Sequence, residues 1–185
     1  MADYRETYLR DIVRTFRNYK TLGEKALAQT PDEHLHTELD AASNSVAVIV
    51  KHVAGNLRSR FTDFLTADGE KPDRDRDGEF EMPERMNREE MLRVWELGWT
   101  VALGSIEALR PEDLDRTVQI RREPFAVVEA LNRSVTHTAY HVGQIAYLAR
   151  HFAGGSWKSL SIPKAMSSQF QQGDFKSKGI AGGRG

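Results

Sequence analysis

The chain has 185 residues, enough for one domain with a sizeable core, and its 26 basic and 27 acidic side chains leave a formal charge of -1. A balance this close to zero supplies no general pull toward nucleic acid or anionic membranes, and the sequence has neither a basic stripe nor an aromatic platform for bases. With no cysteine, disulfides, thiolate ligands and a protein thiol nucleophile are removed together.

The first residues, MADYRETYLRDIVRTF, place Asp3, Glu6 and Asp11 among arginines and lack the apolar centre of a signal peptide. No apolar run approaches the roughly 20 residues that a membrane span requires. The expectation is a soluble, cytoplasmic chain.

From about Asp3 to Gln29, Leu9, Ile12, Phe16, Tyr19, Leu22 and Ala26 recur at helical spacing, which predicts an amphipathic first helix ended by Thr30-Pro31. A polar connector with His34 and His36 follows. Ser43 or Asn44 then caps a second helix running through SVAVIVKHVAGNLRSRFTDFL, whose first half is apolar on nearly every side. From Thr66 to about Met86 the chain is charged and rich in Gly and Pro. At about twenty residues this stretch is too long for a plain connector.

Asn87, with Glu90 three residues later, has the form of a capping box for a third helix, whose predicted buried face is Leu92, Trp95, Trp99, Leu103, Ile106 and Leu109. Pro111 marks a turn, and Thr117 to Arg121 alternates like a short strand. A fourth helix is predicted from about Phe125 to Phe152, closed by Gly154-Gly155. Residues 1–165 are read as a single domain. Residues 166–185 form a tail in which Phe170 is one possible anchor, after Trp157, Leu160 and Ile162. Four long helices imply an all-α, four-helix bundle with a long charged loop between the second and third helices.

The sharpest local feature is HTAYH. His137 and His141 are four residues apart, so their side chains share one face of the fourth helix and can converge on one ion. An HxxxH spacing alone is more often surface or core. His52 adds weight, because it follows VAVIV in the most apolar helix, where an imidazole without a partner is costly to bury. Bundle metal sites are built from inward side chains of facing helices, and three imidazoles leave coordination positions open. The bland alternative is a set of core histidines satisfied by protein oxygens. His34 and His36 lack an apolar frame, and His151 lies near the end of the fourth helix, where a cation meets the favourable end of the dipole; each reads as solvated. Asn56, Ser59, Arg60 and Asp63 beyond His52, and Gln144 beyond His141, are candidates to orient the imidazoles or a substrate. Arg58 and Arg60 are the candidates to hold an anionic group.

With these residues in view, NSVAVIVKHVAGNLRSRFTDFLTADGEKP, LNRSVTHTAYHVGQIAYLARH and WKSLSIPK together resemble the DinB-like superfamily of bacterial metalloproteins. They are closer still to a bacterial subgroup defined only as a domain of unknown function. The resemblance runs from the first helix to Trp157, with KHVAGN and HTAYHVGQI as its strongest motifs. It implies a four-helix bundle with an unusual connection order, often a homodimer, holding one divalent metal on His52, His137 and His141. Zinc or nickel is the expected ion, with iron or manganese next. The resemblance also implies thiol-dependent transferase chemistry with a low-molecular-weight thiol, or hydrolase-like chemistry, on a small molecule. Fold kinship does not set the reaction.

One further pattern competes for attention. DRDRDGEFEMPE supplies Asp73, Asp75, Asp77, Gly78 and Glu84 at the offsets of an EF-hand calcium loop. Gly69 and Pro72 stand where the entering helix should be, no second hand is present, and Arg74, Arg76 and Arg85 can neutralise the acids. Calcium binding is not expected. Nor is a di-iron site, which needs Glu-x-x-His pairs on inner helices. Two functional readings follow: a metal-dependent enzyme, or a non-catalytic metal-binding or interaction module, since no residue stands out as a general acid or base.

Overall fold

The computed structural model describes residues 3–82 and 85–162. Its helices are α1 (Tyr4–Leu27), α2 (Val46–Phe61), α3 (Arg88–Glu107) and α4 (Val127–Ala153), with a hairpin of β1 (Thr117–Ile120) and β2 (Glu123–Ala126) between the last two. The fold is mainly α. None of its described helices is long and apolar enough to cross a membrane. Phe170 lies outside the described residues, whereas Trp157 and Leu160 pack against the core.

Helix ends follow local chemistry. The Asp3 carboxylate accepts from the Arg5 N–H to cap α1, and Asn87 and Glu90 exchange the reciprocal bonds of a capping box at α3. At α2 the cap is Ser45, one or two residues later than expected, its hydroxyl accepting from the Val48 N–H at 3.3 Å. The predicted run to Leu65 is also cut short, because the helix stops at Phe61 and Asp63 turns with φ 49°.

The helices pack in two directions, α2 against α3 and α4, and α1 against α4 and α3. Phe16, Phe61, Trp95, Trp99, Leu131 and Ile145 fill the space between them. Phe16 meets Phe61 and Trp99 edge-on, with ring centroids 5.8 and 6.3 Å apart. On α3 the buried stripe is Met91, Trp95, Gly98, Trp99, Ala102 and Ile106. Leu92, expected inside, is instead partly exposed, since it stands about 100° around the helix from Met91. A Cβ on Gly98 would come within 2.6 Å of Ala54 Cα, so α2 and α3 approach backbone to backbone beside the segment carrying His52.

The short strand predicted from Thr117 forms, but its partner β2 was not foreseen and moves the start of α4 from Phe125 to Val127. Arg121 and Arg122 make the hairpin turn at positive φ (57° and 65°), where glycine or asparagine is usual. Their backbone N–H groups both donate to the Asp68 carboxylate, at 2.9 and 2.7 Å, which offsets that cost. The charged loop is thereby tied to the hairpin.

Candidate metal centre

His52 lies on the face of α2 that looks toward α4, where His137 and His141 are stacked one turn apart. The three imidazoles each offer a ring nitrogen, and these atoms lie within 4.8 Å of one another, a grouping that could hold a metal ion. His52 Nε2 and His137 Nε2 are 3.3 Å apart. For comparison, two nitrogens at metal–nitrogen distances of about 2.0–2.1 Å in a tetrahedral site are separated by roughly 3.3 Å. The two bonds that orient the rings fit the same chemistry. His52 Nδ1 is 2.8 Å from Glu79 Oε2, and His141 Nδ1 is 2.8 Å from Gln144 Oε1. With each Nδ1 donating its proton outward, the Nε2 lone pairs of His52 and His141 are left for an ion.

Burial keeps His137 and His141 neutral. The His137 imidazolium is disfavoured first by desolvation and then by His141 and His52, which together push its pKa down to about 3. His141 is lowered by burial and by His52, against the bond to Gln144. Neutral imidazole is the form that ligates a metal, so the surroundings hold these residues in the binding state at neutral pH.

Glu79 is the residue that sequence reasoning missed. It lies in a 3-10 turn (Gly78–Phe80) of the charged loop, within the calcium-like pattern, and is buried against α2. Arg74 grips its carboxylate with two bonds of 2.8 Å, Nε to Oε1 and Nη2 to Oε2. Burial alone would raise this carboxyl, but the bonds from His52 and Arg74 hold it below the usual range. Gly55 gives it room, since a Cβ there would collide with the carboxylate. Phe80 lies on the His52 ring at 4.6 Å between centroids, and Lys51 Nζ donates to the Gly78 and Glu81 carbonyls at 2.7 and 2.8 Å. The loop is a built wall of the site. A carboxylate following the calcium-like aspartates by a few residues was its only signal, and it pointed to a different ion.

The remaining sequence candidates separate. Gln144 touches His141 as described, and Asn56 is buried beside the site. Arg60 is buried too, but spends its guanidinium on the Gly69 carbonyl and on Glu70 Oε2 at 2.9 Å, so it anchors the loop. Ser59 does the same through Gly69 O at 2.8 Å. Arg58 is exposed and lines another cavity, on the far side of Glu79 from His52, which Asp63 also lines and in whose described lining no histidine stands. Arg74 does not neutralise the calcium-like aspartates, because it is occupied by Glu70 and Glu79; Asp75 instead accepts from the Gly78 N–H at 2.9 Å. Glu84 lies outside the described residues. His151 is exposed as expected. His34 and His36 are not simply solvated: His34 stacks on Phe152 at 4.6 Å, and His36 Nε2 is 2.8 Å from the Met86 carbonyl oxygen.

Beside His137 opens a cavity of about 410 Å³, walled by α2, the hairpin turn, the charged loop and α4. Its lining includes Asn56 and Tyr140. A cluster of three imidazoles, two of them fixed from outside and His137 opening on a cavity of small-molecule size, defines a mainly-α protein with a candidate metal centre. The chain belongs to the family described as "Protein of unknown function (DUF1572)", whose model matches residues 3–166. A search of curated proteins returns no match.

Proposed function

We propose that this protein is a divalent-metal-dependent enzyme of the DinB-like superfamily, acting on a small molecule with thiol-transferase or hydrolase-like chemistry. The observation that carries the reading is the paired arrangement of the imidazoles. The outer nitrogens of His52 and His141 are held by Glu79 and Gln144, while ring nitrogens of all three converge beside the cavity.

His52, His137 and His141 would hold the ion, zinc or nickel in the first instance. Three protein donors are one fewer than a closed structural site uses. When bound, the ion would supply Lewis-acid activation of a water or a low-molecular-weight thiol. The chain's own residues do the rest. Glu79 keeps the His52 proton on Nδ1 and makes that imidazole a better donor; Gln144 fixes the tautomer of His141. Phe80 shields the His52 ring from solvent. Asn56 and Tyr140 stand on the cavity wall where a substrate can be oriented.

Elemental analysis of the untagged protein beside a His137→Ala, His141→Ala double variant tests the site. The expected result is about one metal ion per wild-type chain, lost in the variant, with thiol-transfer or ester-hydrolysis activity that follows the metal. Wild-type protein that stays metal-free after reconstitution would sink the proposal and return these histidines to the core. Metal retention without turnover of any thiol, ester or amide substrate would favour the non-catalytic module.

A further inference from the structure

The cavity beside His137 is lined by Arg60, Arg76, Arg121 and Arg133 and, among the described residues, by no acid. The four come from separate places: Arg60 from α2, Arg76 from the charged loop, Arg121 from the hairpin turn, Arg133 from α4. Among the described residues the nearby carboxylates, Glu70, Asp77 and the Asp68 that accepts from the Arg121 N–H, do not balance them. Glu70 is shared by Arg60 at 2.9 Å, Arg121 at 3.2 Å and Arg74 at 3.3 Å. Among the described residues Arg76 has only the solvent-exposed Asp77, at 3.6 Å. Arg133 has no carboxylate partner among the described residues. Arg76 and Arg133 are instead steadied by aromatic rings, the first over Phe80 at 5.6 Å and the second over Phe125 at 5.9 Å. Since Phe80 also lies on His52, the Arg76 guanidinium stands one ring away from the candidate metal centre. Asn56, buried in the same wall, makes no side-chain hydrogen bond among the described residues.

We infer that this cavity takes a small molecule carrying an anionic group, a carboxylate or a phosphate, bound by Arg76, Arg121 and Arg133 with Asn56 as a neutral donor. This rests on the reading of the cavity as the substrate side of the metal centre, and adds the charge of the substrate to it. Clustered guanidinium groups with too few acids hold local positive charge around a concave wall in which Asn56 and Arg60 are buried and Arg76, Arg121 and Arg133 are exposed, so a planar anion can receive paired N–H donors there. Aromatic support under two of them lowers the cost of ordering their side chains. Arg60 is already committed to Gly69 and Glu70, so it contributes charge and shape more than a bond.

The test is calorimetric titration of the full chain with succinate and with inorganic phosphate, in metal-free and in zinc-loaded form after removal of free zinc. Saturable binding of at least one anion is expected, weakened at least tenfold in an Arg76→Gln, Arg133→Gln double variant. Arg58→Gln, on the other cavity, should leave it unchanged. Which anion binds tighter distinguishes carboxylate from phosphate. No saturable binding in either form, or binding undiminished in the double variant, overturns the inference. Metal content of the same samples is read separately, so a chain that takes no zinc refutes the metal reading while the metal-free titration still decides the anion.

Discussion

The candidate centre has two halves built by different means. The helical half, His52, His137 and His141, is set by periodicity and by the packing of α2 against α4. The loop half, Glu79, Arg74 and Phe80, reaches the same imidazoles from a segment with almost no regular structure. The first half supplies donors. The second orients the His52 ring and covers it, and is held by a chain of polar contacts: Ser59 and Arg60 to Gly69, Asp68 to the hairpin turn, Lys51 to Gly78. A scaffold of helices can thus carry the ligands, while a loop outside it orients His52.

If that division is right, damage to the two halves should differ in degree. His52→Ala removes a donor from the helical half and is expected to lower zinc affinity by more than about a hundredfold, beyond the effect typical of an outer-shell partner. Competition with a chelating dye reads it directly; a variant that binds zinc like wild type would remove His52 from the ligand set. Glu79→Gln keeps the shape but loses the charge on which His52 and Arg74 converge. A loss of about 10–100-fold in zinc affinity is expected. Gly55→Ala should act in the same direction from the α2 side, by displacing the carboxylate. Unchanged affinity in both would reduce the loop to a cover.

The same division explains what could be read from the sequence. His137 and His141 share a face by arithmetic alone, and His52 stood out because an imidazole after VAVIV demanded a partner. Helix boundaries were legible where a cap is a local bond, as at Asn87, and slipped where several consecutive residues can cap, as at Ser43, Asn44 and Ser45 before Val46. Leu92 was misplaced because hydrophobicity does not say which of two adjacent apolar residues faces inward; packing against α2 chose Met91. Glu79 was invisible because nothing local distinguishes it from its acidic neighbours. Only the tertiary fold brings it to His52, 27 residues earlier in the chain. Strand β2 was missed for a related reason: four residues containing Pro124 acquire strand geometry only through their pairing with β1.

Acid should expose the cost of keeping the helical half neutral. His137 ordinarily titrates at 6.5 but is held to about 3 here, so between those values the unfolded chain binds a proton that the folded chain does not. Stability therefore rises with pH across that window and is lost as pH falls through it; the lowered Glu79 adds a loss of the same sign at its acid end. For metal-free protein, urea denaturation is expected to show a decline on the order of 1–3 kcal/mol from pH 7 to pH 4, smaller in His137→Asn. A decline equal in wild type and variant would mean that the acid sensitivity lies elsewhere.

The smallest expected effect separates scaffold from site. Asn87 closes the exit of the charged loop by capping α3, its side chain accepting from the Glu90 N–H at 3.0 Å while the Glu90 carboxylate accepts from the Asn87 N–H at 2.8 Å. Asn87→Ala removes one of these bonds and should cost about 1 kcal/mol of stability in urea. Its position, just past the loop that carries Glu79, makes it a sensitive control. Unchanged zinc affinity beside the stability loss is expected if the loop is held from α2 and the hairpin. A parallel fall in zinc affinity would show that the loop's grip on His52 depends on where α3 begins, and the two halves of the site would then be one mechanical unit.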